Sequence, residues 1–127
     1  FLNRVISSDY QTLLASAEPE VLSTCTISDD AYYAYTTGMR MAVSDDRGTA
    51  KSYLGDYPVA VAGKTGTAQT GQFSGGTELK NYWFAGFVPA EQPRYTIVVL
   101  QDTQAEPAFS SAAIFARVAA GLEILAP

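Results

Sequence analysis

The chain has 127 residues, of which 47% are apolar and 17% are charged, a composition typical of one folded domain rather than of a disordered chain. Eight basic and thirteen acidic residues give a formal net charge of −5, and no cluster of lysine or arginine occurs, which argues against a nucleic-acid partner. Histidine is absent, which excludes histidine-based triads and most zinc sites, and the single cysteine, Cys25, is predicted to be a small apolar residue of the interior.

The first third of the chain predicts a short hairpin and then a helix. Apolar residues on both sides of the polar turn SSDY (residues 7–10) indicate two short strands. The run Ser28-Asp29-Asp30 is typical of a helix start, because these side chains can accept hydrogen bonds from free N–H groups of a first turn. We therefore predict a helix over about 29–44. The apolar stripe that it should bury consists of Tyr32, Tyr35, Met39, Ala42 and Val43.

Three strands are predicted in the second half of the chain. A loop over residues 51–58 leads into a strand over 59–67, and the glycine-rich segment 71–80 is interpreted as a long hairpin connection. The aromatic segment 81–89 and the β-branched segment 94–102 are the next two strands. Because only turns separate successive strands, we expect an antiparallel sheet.

A helix is predicted near the C-terminus, over about 109–124, where small and apolar residues recur on one face. The predicted fold class is therefore α+β: an antiparallel sheet of three main strands, a short N-terminal hairpin, and one helix before and one after the sheet. Trp83 and Phe84 are expected to lie in the core rather than to form a ligand platform.

The segment VAVAGKTGTAQTG (residues 59–71) raises the question of what its lysine does. Gly63-Lys64-Thr65 matches the end of a phosphate-binding loop, which requires its first glycine five positions before Gly63. That position is Pro58, which has no N–H to donate. The residues after Thr65 are also poor helix formers, whereas a phosphate loop leads into a helix. The phosphate-loop interpretation therefore fails.

The other interpretation places Lys64-Thr65-Gly66-Thr67 on a strand that lines a site. Lys64 and Gly66 fall on one face of an ideal strand and Thr65 and Thr67 on the other, although twist and bulges near a site relax this alternation. The ammonium and the hydroxyls offer charge and hydrogen bonds to a carboxylate, and glycine lets another backbone approach closely. Taken alone, the tripeptide is a weak signal, because a lysine at a strand end beside a turn accounts for it equally well.

Two further segments accompany this one in order. They are GMRMAVSDDRGTA (38–50) before VAGKTGTAQ (61–69), and NYWFAGFVPAEQPRYTIVVL (81–100) after it. Together the three resemble the C-terminal part of the transpeptidase domain of penicillin-binding proteins, closer to the monofunctional (class B) enzymes than to serine β-lactamases. The resemblance implies a peptidoglycan D,D-transpeptidase that cross-links stem peptides by serine acyl transfer. The alternatives are a fragment of a serine β-lactamase or D,D-carboxypeptidase, or of a β-lactam-sensing binding domain.

In that family the motifs S-x-x-K, S-x-N and K-T-G meet in one cleft, and the third falls here on Lys64, Thr65 and Gly66. The resemblance implies that Lys64 adds positive charge and bonds toward the S-x-N serine, and that Thr65 and Thr67 contact the carboxylate of a stem peptide or β-lactam. The backbone N–H of Thr67 is expected to form half of the oxyanion hole, so that Lys64 and Thr67 are the catalytic residues. The expected substrate-binding residues are Lys64, Thr65, Gly66 and Thr67. No cofactor or metal is implied.

The sequence departs from the family pattern in the other two motifs. No lysine has a serine three positions before it, and neither asparagine completes S-x-N. We therefore expect residues 1–127 to be a C-terminal fragment of the domain, inactive by itself, whose nucleophile lies in a missing N-terminal part. The parent is expected to act outside the cytoplasmic membrane, held by an N-terminal anchor that is not in this chain.

Four kinds of partner follow from this interpretation. In the parent they are the peptidoglycan stem peptide, β-lactams, and the missing N-terminal part of the same domain. The fourth is a second copy of the chain, because the strand predicted over 94–102 would be left as an exposed apolar edge that can pair with another strand.

Overall fold

A computed structural model describes residues 4–18 and 20–125 of the chain. The elements in chain order are β1 (Arg4–Ile6), β2 (Leu13–Ser16), α1 (Asp29–Ser44), α2 (Lys51–Leu54), β3 (Ala62–Ser74), β4 (Thr77–Val88), β5 (Tyr95–Gln104) and α3 (Ser111–Leu125). β1 and β2 form a hairpin, and β3, β4 and β5 form an antiparallel sheet in that order. The predicted α+β class and the three-stranded sheet are confirmed.

The N-terminal hairpin forms as predicted, and its turn is held by side chains. The Asp9 carboxylate accepts hydrogen bonds from the Ser7 hydroxyl and, at 3.0 Å, from the Gln11 N–H. These two bonds, the first more than the second, hold the pKa of Asp9 below its ordinary value. The start of α1 is also confirmed, because the Ser28 hydroxyl accepts a hydrogen bond from the Ala31 N–H at 3.2 Å.

The core lies between one face of the sheet, the helices α2 and α3, and the C-terminal end of α1. Phe84 of β4 and Phe115 of α3 are fully buried and meet edge to face, with ring centroids 4.9 Å apart. Val99 of β5 lies beside Phe84 on the same face of the sheet and packs against this core. The buried apolar residues of the core are Val43, Ala50, Leu54, Val61, Phe84, Val88, Ala112, Phe115 and Ala119.

The predicted long connection over residues 71–80 is wrong. β3 continues to Ser74, a two-residue turn follows at Gly75-Gly76, and β4 begins at Thr77. Both turn glycines have positive φ (57° and 84°), the backbone that a tight hairpin turn requires. The extra glycine, Gly71, also has positive φ and lies where the β3–β4 register shifts, so it accommodates a bulge instead of ending the strand.

Four smaller predictions also need correction. The segment 51–58, predicted as a loop, contains the short helix α2. The α1 stripe is buried only at Val43, and its tyrosines are exposed because the described elements cover only the C-terminal end of that helix. Trp83 is partly exposed, on the sheet face opposite Phe84. Cys25 is exposed, since it lies in the irregular segment before α1.

Candidate functional site

Residues 64–67 lie in the first half of β3, opposite residues 82–85 of β4. Among the described strands β3 has a partner on one side only, so the backbone groups on its other side face no strand of that sheet. Gly66 lies opposite Trp83, and a Cβ at this position would come within 3.3 Å of the Trp83 Cβ. The lack of a side chain here keeps β3 and β4 close and leaves the Trp83 ring uncovered from this side.

Thr65, Gly66 and Thr67 form one wall of a cavity of about 350 Å³, which we call the threonine cavity. Its remaining walls come from α2, from β4 and β5, and from the segment that leads into α3. Three aromatic residues line it, together with hydroxyls at the start of α3 and one carboxylate. These residues are Tyr53, Tyr82, Trp83, Glu106, Ser110 and Ser111.

The wall opposite the threonines is held by a partly buried hydrogen-bond network. The Gln101 side-chain amide donates to the Ser111 hydroxyl at 2.7 Å and to the Phe109 carbonyl at 3.0 Å. The Ser111 hydroxyl in turn donates to the Tyr82 carbonyl at 3.1 Å. Ser111 is buried, so these bonds fix the start of α3 against β4 and β5 at a defined distance from β3.

Lys64 lies on a second cavity, of about 400 Å³, which we call the lysine cavity. The end of α1 and the turn after it supply its other walls, including Asp45, Arg47 and Thr49. The Lys64 side chain is exposed, its ammonium donates to the Thr65 carbonyl at 2.6 Å, and it forms no ion pair with any carboxylate that the structure describes. Its charge therefore remains available to a ligand.

The structure thus divides the four predicted residues between two adjoining cavities. Lys64 lines the lysine cavity, and Thr65, Gly66 and Thr67 line the threonine cavity. The hydroxyl of Thr49, which lines the lysine cavity, lies 2.9 Å from the hydroxyl of Thr65, which lines the threonine cavity. Thr65 and Thr67 lie on the face of the sheet that carries Phe84 of β4 and faces the core, and Lys64 lies on the other face, as the alternation along a strand predicts.

Sequence reasoning missed several residues of this site. Thr49 lies in the segment GTA, which contributed to the family resemblance. The segment gave no indication that Thr49 contacts Thr65. Gln101 and Ser111 meet only because β5 and α3 converge on β4, which no local pattern reveals.

The described residues contain no group of three or more His, Cys, Asp or Glu side chains that could hold a metal ion. Within the same residues, no helix has the length and apolar character needed to cross a membrane.

Solved structures with the same fold include three penicillin-binding proteins. Penicillin-binding protein 2B from Streptococcus pneumoniae strain R6 matches with a TM-score of 0.74 at 17% identity, over 96% of this chain and 20% of its own. Helicobacter pylori PBP2, solved in complex with MreC, matches with a TM-score of 0.63 at 24% identity, over 76% of this chain and 18% of its own. Pseudomonas aeruginosa PBP2, solved in complex with WCK 5153, matches with a TM-score of 0.61 at 24% identity, over 91% of this chain and 24% of its own. The chain therefore spans roughly a fifth of the length of these proteins and shares their fold over that part.

No curated protein sequence matches the chain. The sequence model of the penicillin binding protein transpeptidase domain matches residues 2–120, nearly the whole chain. The resemblance stated from the motifs is confirmed at the level of the family: the chain belongs to the penicillin-binding protein transpeptidase domain family.

Proposed function

We propose that this chain supplies the carboxylate-binding wall of a peptidoglycan D,D-transpeptidase, and that the site is of the class B type. One observation carries the proposal. Three consecutive residues of the KTGT segment, Thr65, Gly66 and Thr67, line a cavity. The ammonium of Lys64, which forms no ion pair with a described carboxylate, lies on the neighbouring cavity. A carboxylate in the threonine cavity would find hydroxyl donors there and a positive charge next to them.

A stem peptide that ends in D-Ala-D-Ala offers a terminal carboxylate to this wall. The Thr65 and Thr67 hydroxyls can each donate one hydrogen bond to it, and a hydrogen bond to a charged acceptor is stronger than one between neutral groups. The peptide is extended, so it can lie along β3 on the side that no described strand occupies. The absence of a side chain at Gly66 leaves space for that approach.

The second catalytic contribution is the backbone N–H of Thr67. Residues two apart on an antiparallel strand direct their N–H groups to the same side, so the N–H groups of Thr65 and Thr67 share an orientation. The Lys64 ammonium reaches the Thr65 carbonyl most simply from the side opposite β4, which supports an outward orientation for this pair. An outward N–H at Thr67 can stabilise the oxyanion that forms when the scissile carbonyl becomes tetrahedral.

Acyl transfer also requires a nucleophile and a base, and the sequence contains neither S-x-x-K nor S-x-N, the other two motifs of the family's cleft. A serine hydroxyl must attack the penultimate D-Ala carbonyl, its proton must pass to a base and then to the departing D-Ala, and an amine of a second stem peptide must take the acyl group. We assign the serine and its base to another part of the parent protein, outside residues 1–127. In this proposal the parent is anchored in the membrane and acts outside the cytoplasm.

The test is acylation by a fluorescent penicillin of the full-length protein that carries this chain. Lys64→Ala should lower the second-order acylation rate by roughly 100-fold or more, since it removes charge stabilisation beside the reacting carbonyl. Lys80→Ala is the matched control, because Lys80 lies opposite Gln69 in the β3–β4 ladder and lines neither cavity. Normal labelling of the Lys64 variant would refute the role assigned to that residue.

A further inference from the structure

The turn between α1 and α2 holds Thr49 in a fixed position. The Ala50 N–H donates to the Ala42 carbonyl at 2.9 Å, and the Lys51 N–H donates to the Gly48 carbonyl at 3.1 Å. A Cβ on Gly48 would lie 2.6 Å from the Ala42 carbonyl oxygen, so the turn packs directly against the α1 backbone. Because Ala50 is also fully buried, the backbone on both sides of Thr49 is immobilised.

The fixed turn brings the Thr49 hydroxyl to 2.9 Å from the Thr65 hydroxyl. A threonine hydroxyl has one hydrogen to donate and two lone pairs that accept. A carboxylate only accepts, so Thr65 can bind it only if its own hydrogen points into the threonine cavity. The bond to Thr49 must then run the other way, with Thr49 donating to the Thr65 oxygen.

Thr49 lies outside the threonine cavity. Thr65 lines that cavity, whereas Thr49 lines the lysine cavity on the other side of the hydroxyl pair. We propose that Thr49 is a positioning residue, whose donated hydrogen bond orients the Thr65 hydroxyl toward a carboxylate bound in the threonine cavity. This inference rests on the proposed role of Thr65. A donor behind Thr65 also polarises its O–H group and strengthens the bond to the carboxylate.

The test compares two probes on the full-length protein: a fluorescent penicillin and its methyl ester, which lacks the charged acceptor. Thr49→Val removes the hydroxyl at nearly constant volume and should slow acylation by the penicillin roughly three- to tenfold, the effect of one lost hydrogen bond. Acylation by the ester should change by less than about twofold, because the ester makes only a weak bond at this position. Thr49→Ser keeps the hydroxyl and should behave as the unsubstituted protein with both probes.

Thr65→Val and the double variant Thr49→Val/Thr65→Val distinguish the positioning role of Thr49 from the proposed carboxylate-binding role of Thr65. Thr65→Val should slow acylation by the penicillin, and Thr49→Val should then add nothing, because its effect passes through the Thr65 hydroxyl. If Thr65→Val has no effect, the proposed function of that residue fails. If Thr65→Val slows acylation but Thr49→Val does not, only the role of Thr49 is refuted.

Two further outcomes would overturn the inference. One is an equal loss of acylation with both probes in Thr49→Val, which would indicate general damage to the site. The other is a selective loss for the carboxylate probe in Thr49→Ser, a variant that retains the hydroxyl. Thr36→Val serves as the control for loss of a threonine hydroxyl elsewhere, since among the described residues the Thr36 hydroxyl donates to carbonyls of its own helix.

Discussion

At the scale of single residues, the glycine next to the lysine connects the site to the core. A Cβ on Gly63 would lie 2.3 Å from the Phe84 ring, and one on Gly86 would lie 2.7 Å from the Ala62 carbonyl oxygen. Phe84 thus fills the space that the two glycines leave on this face of the sheet. The roles that the resemblance implies for Lys64 and Gly66 stay predictions. The sequence did not indicate this role of Gly63, because the contact depends on the register between two strands.

Gly63→Ala should therefore destabilise the protein. The added methyl group overlaps a fully buried ring that is itself held by Phe115, so the core must shift, at a cost of about 1–3 kcal/mol. Gly38→Ala is the matched control, because a Cβ there meets nothing and alanine favours the helix by about 0.5–1 kcal/mol. Urea unfolding of the unsubstituted protein and of the two variants gives their free energies of unfolding. Equal stability of Gly63→Ala and Gly38→Ala would show that the space above Gly63 is not limiting.

At the scale of elements, the sequence predicted those with a strong local pattern. The capping serine of α1, the aromatic and β-branched runs of β4 and β5, and the small residues of α3 each define an element within a few residues of its observed bounds. The second half of β3 was missed, because its residues are polar and interrupted by Gly71. Its pairing with β4, such as Phe73 opposite Glu78, is a contact between strands that local composition does not encode.

The same reason limits what could be predicted of the site. One wall of the threonine cavity consists of consecutive residues, Thr65 to Thr67, so a sequence motif can identify it. The opposite wall is assembled from β5, the segment after it and the start of α3, and its position depends on the bonds of Gln101 and Ser111. Those bonds follow from the packing of the helix on the sheet and have no signature in the sequence.

The turn at Gly75-Gly76 gives an element-scale prediction. Gly75→Val should weaken the end of the hairpin by about 1–2 kcal/mol, because a β-branched residue is strained at positive φ. Gly75→Asn should be tolerated, since asparagine adopts this conformation readily. Hydrogen exchange of the amides over residues 70–80 measures the effect, and faster exchange in the valine variant alone is expected. Equal protection in both variants would show that the turn does not hold this end of the sheet.

At the scale of the whole molecule, the sheet is covered unequally. Helices α2 and α3 cover the face that carries Phe84, whereas the other face exposes Trp83, Val98 and Leu100, which are neighbours across β4 and β5. Among the described strands β5 has a partner on one side only, so its other edge faces no strand of that sheet. An apolar face beside an open strand edge favours pairing with another chain.

We therefore expect the 127-residue chain to self-associate at micromolar concentrations, through β5 of two copies. Val98→Lys should return the chain to a monomer, because Val98 lies on β5 itself and is 59% exposed, and a lysine on an edge strand opposes its pairing with a second chain. Val118→Lys, on the exposed side of α3 at 42% exposure, is the matched control and should leave association unchanged. Static light scattering across a concentration series gives the molar mass and so distinguishes a monomer from a self-associated chain. A monomer at every concentration, or the same loss of association in both lysine variants, would show that β5 is not the contact.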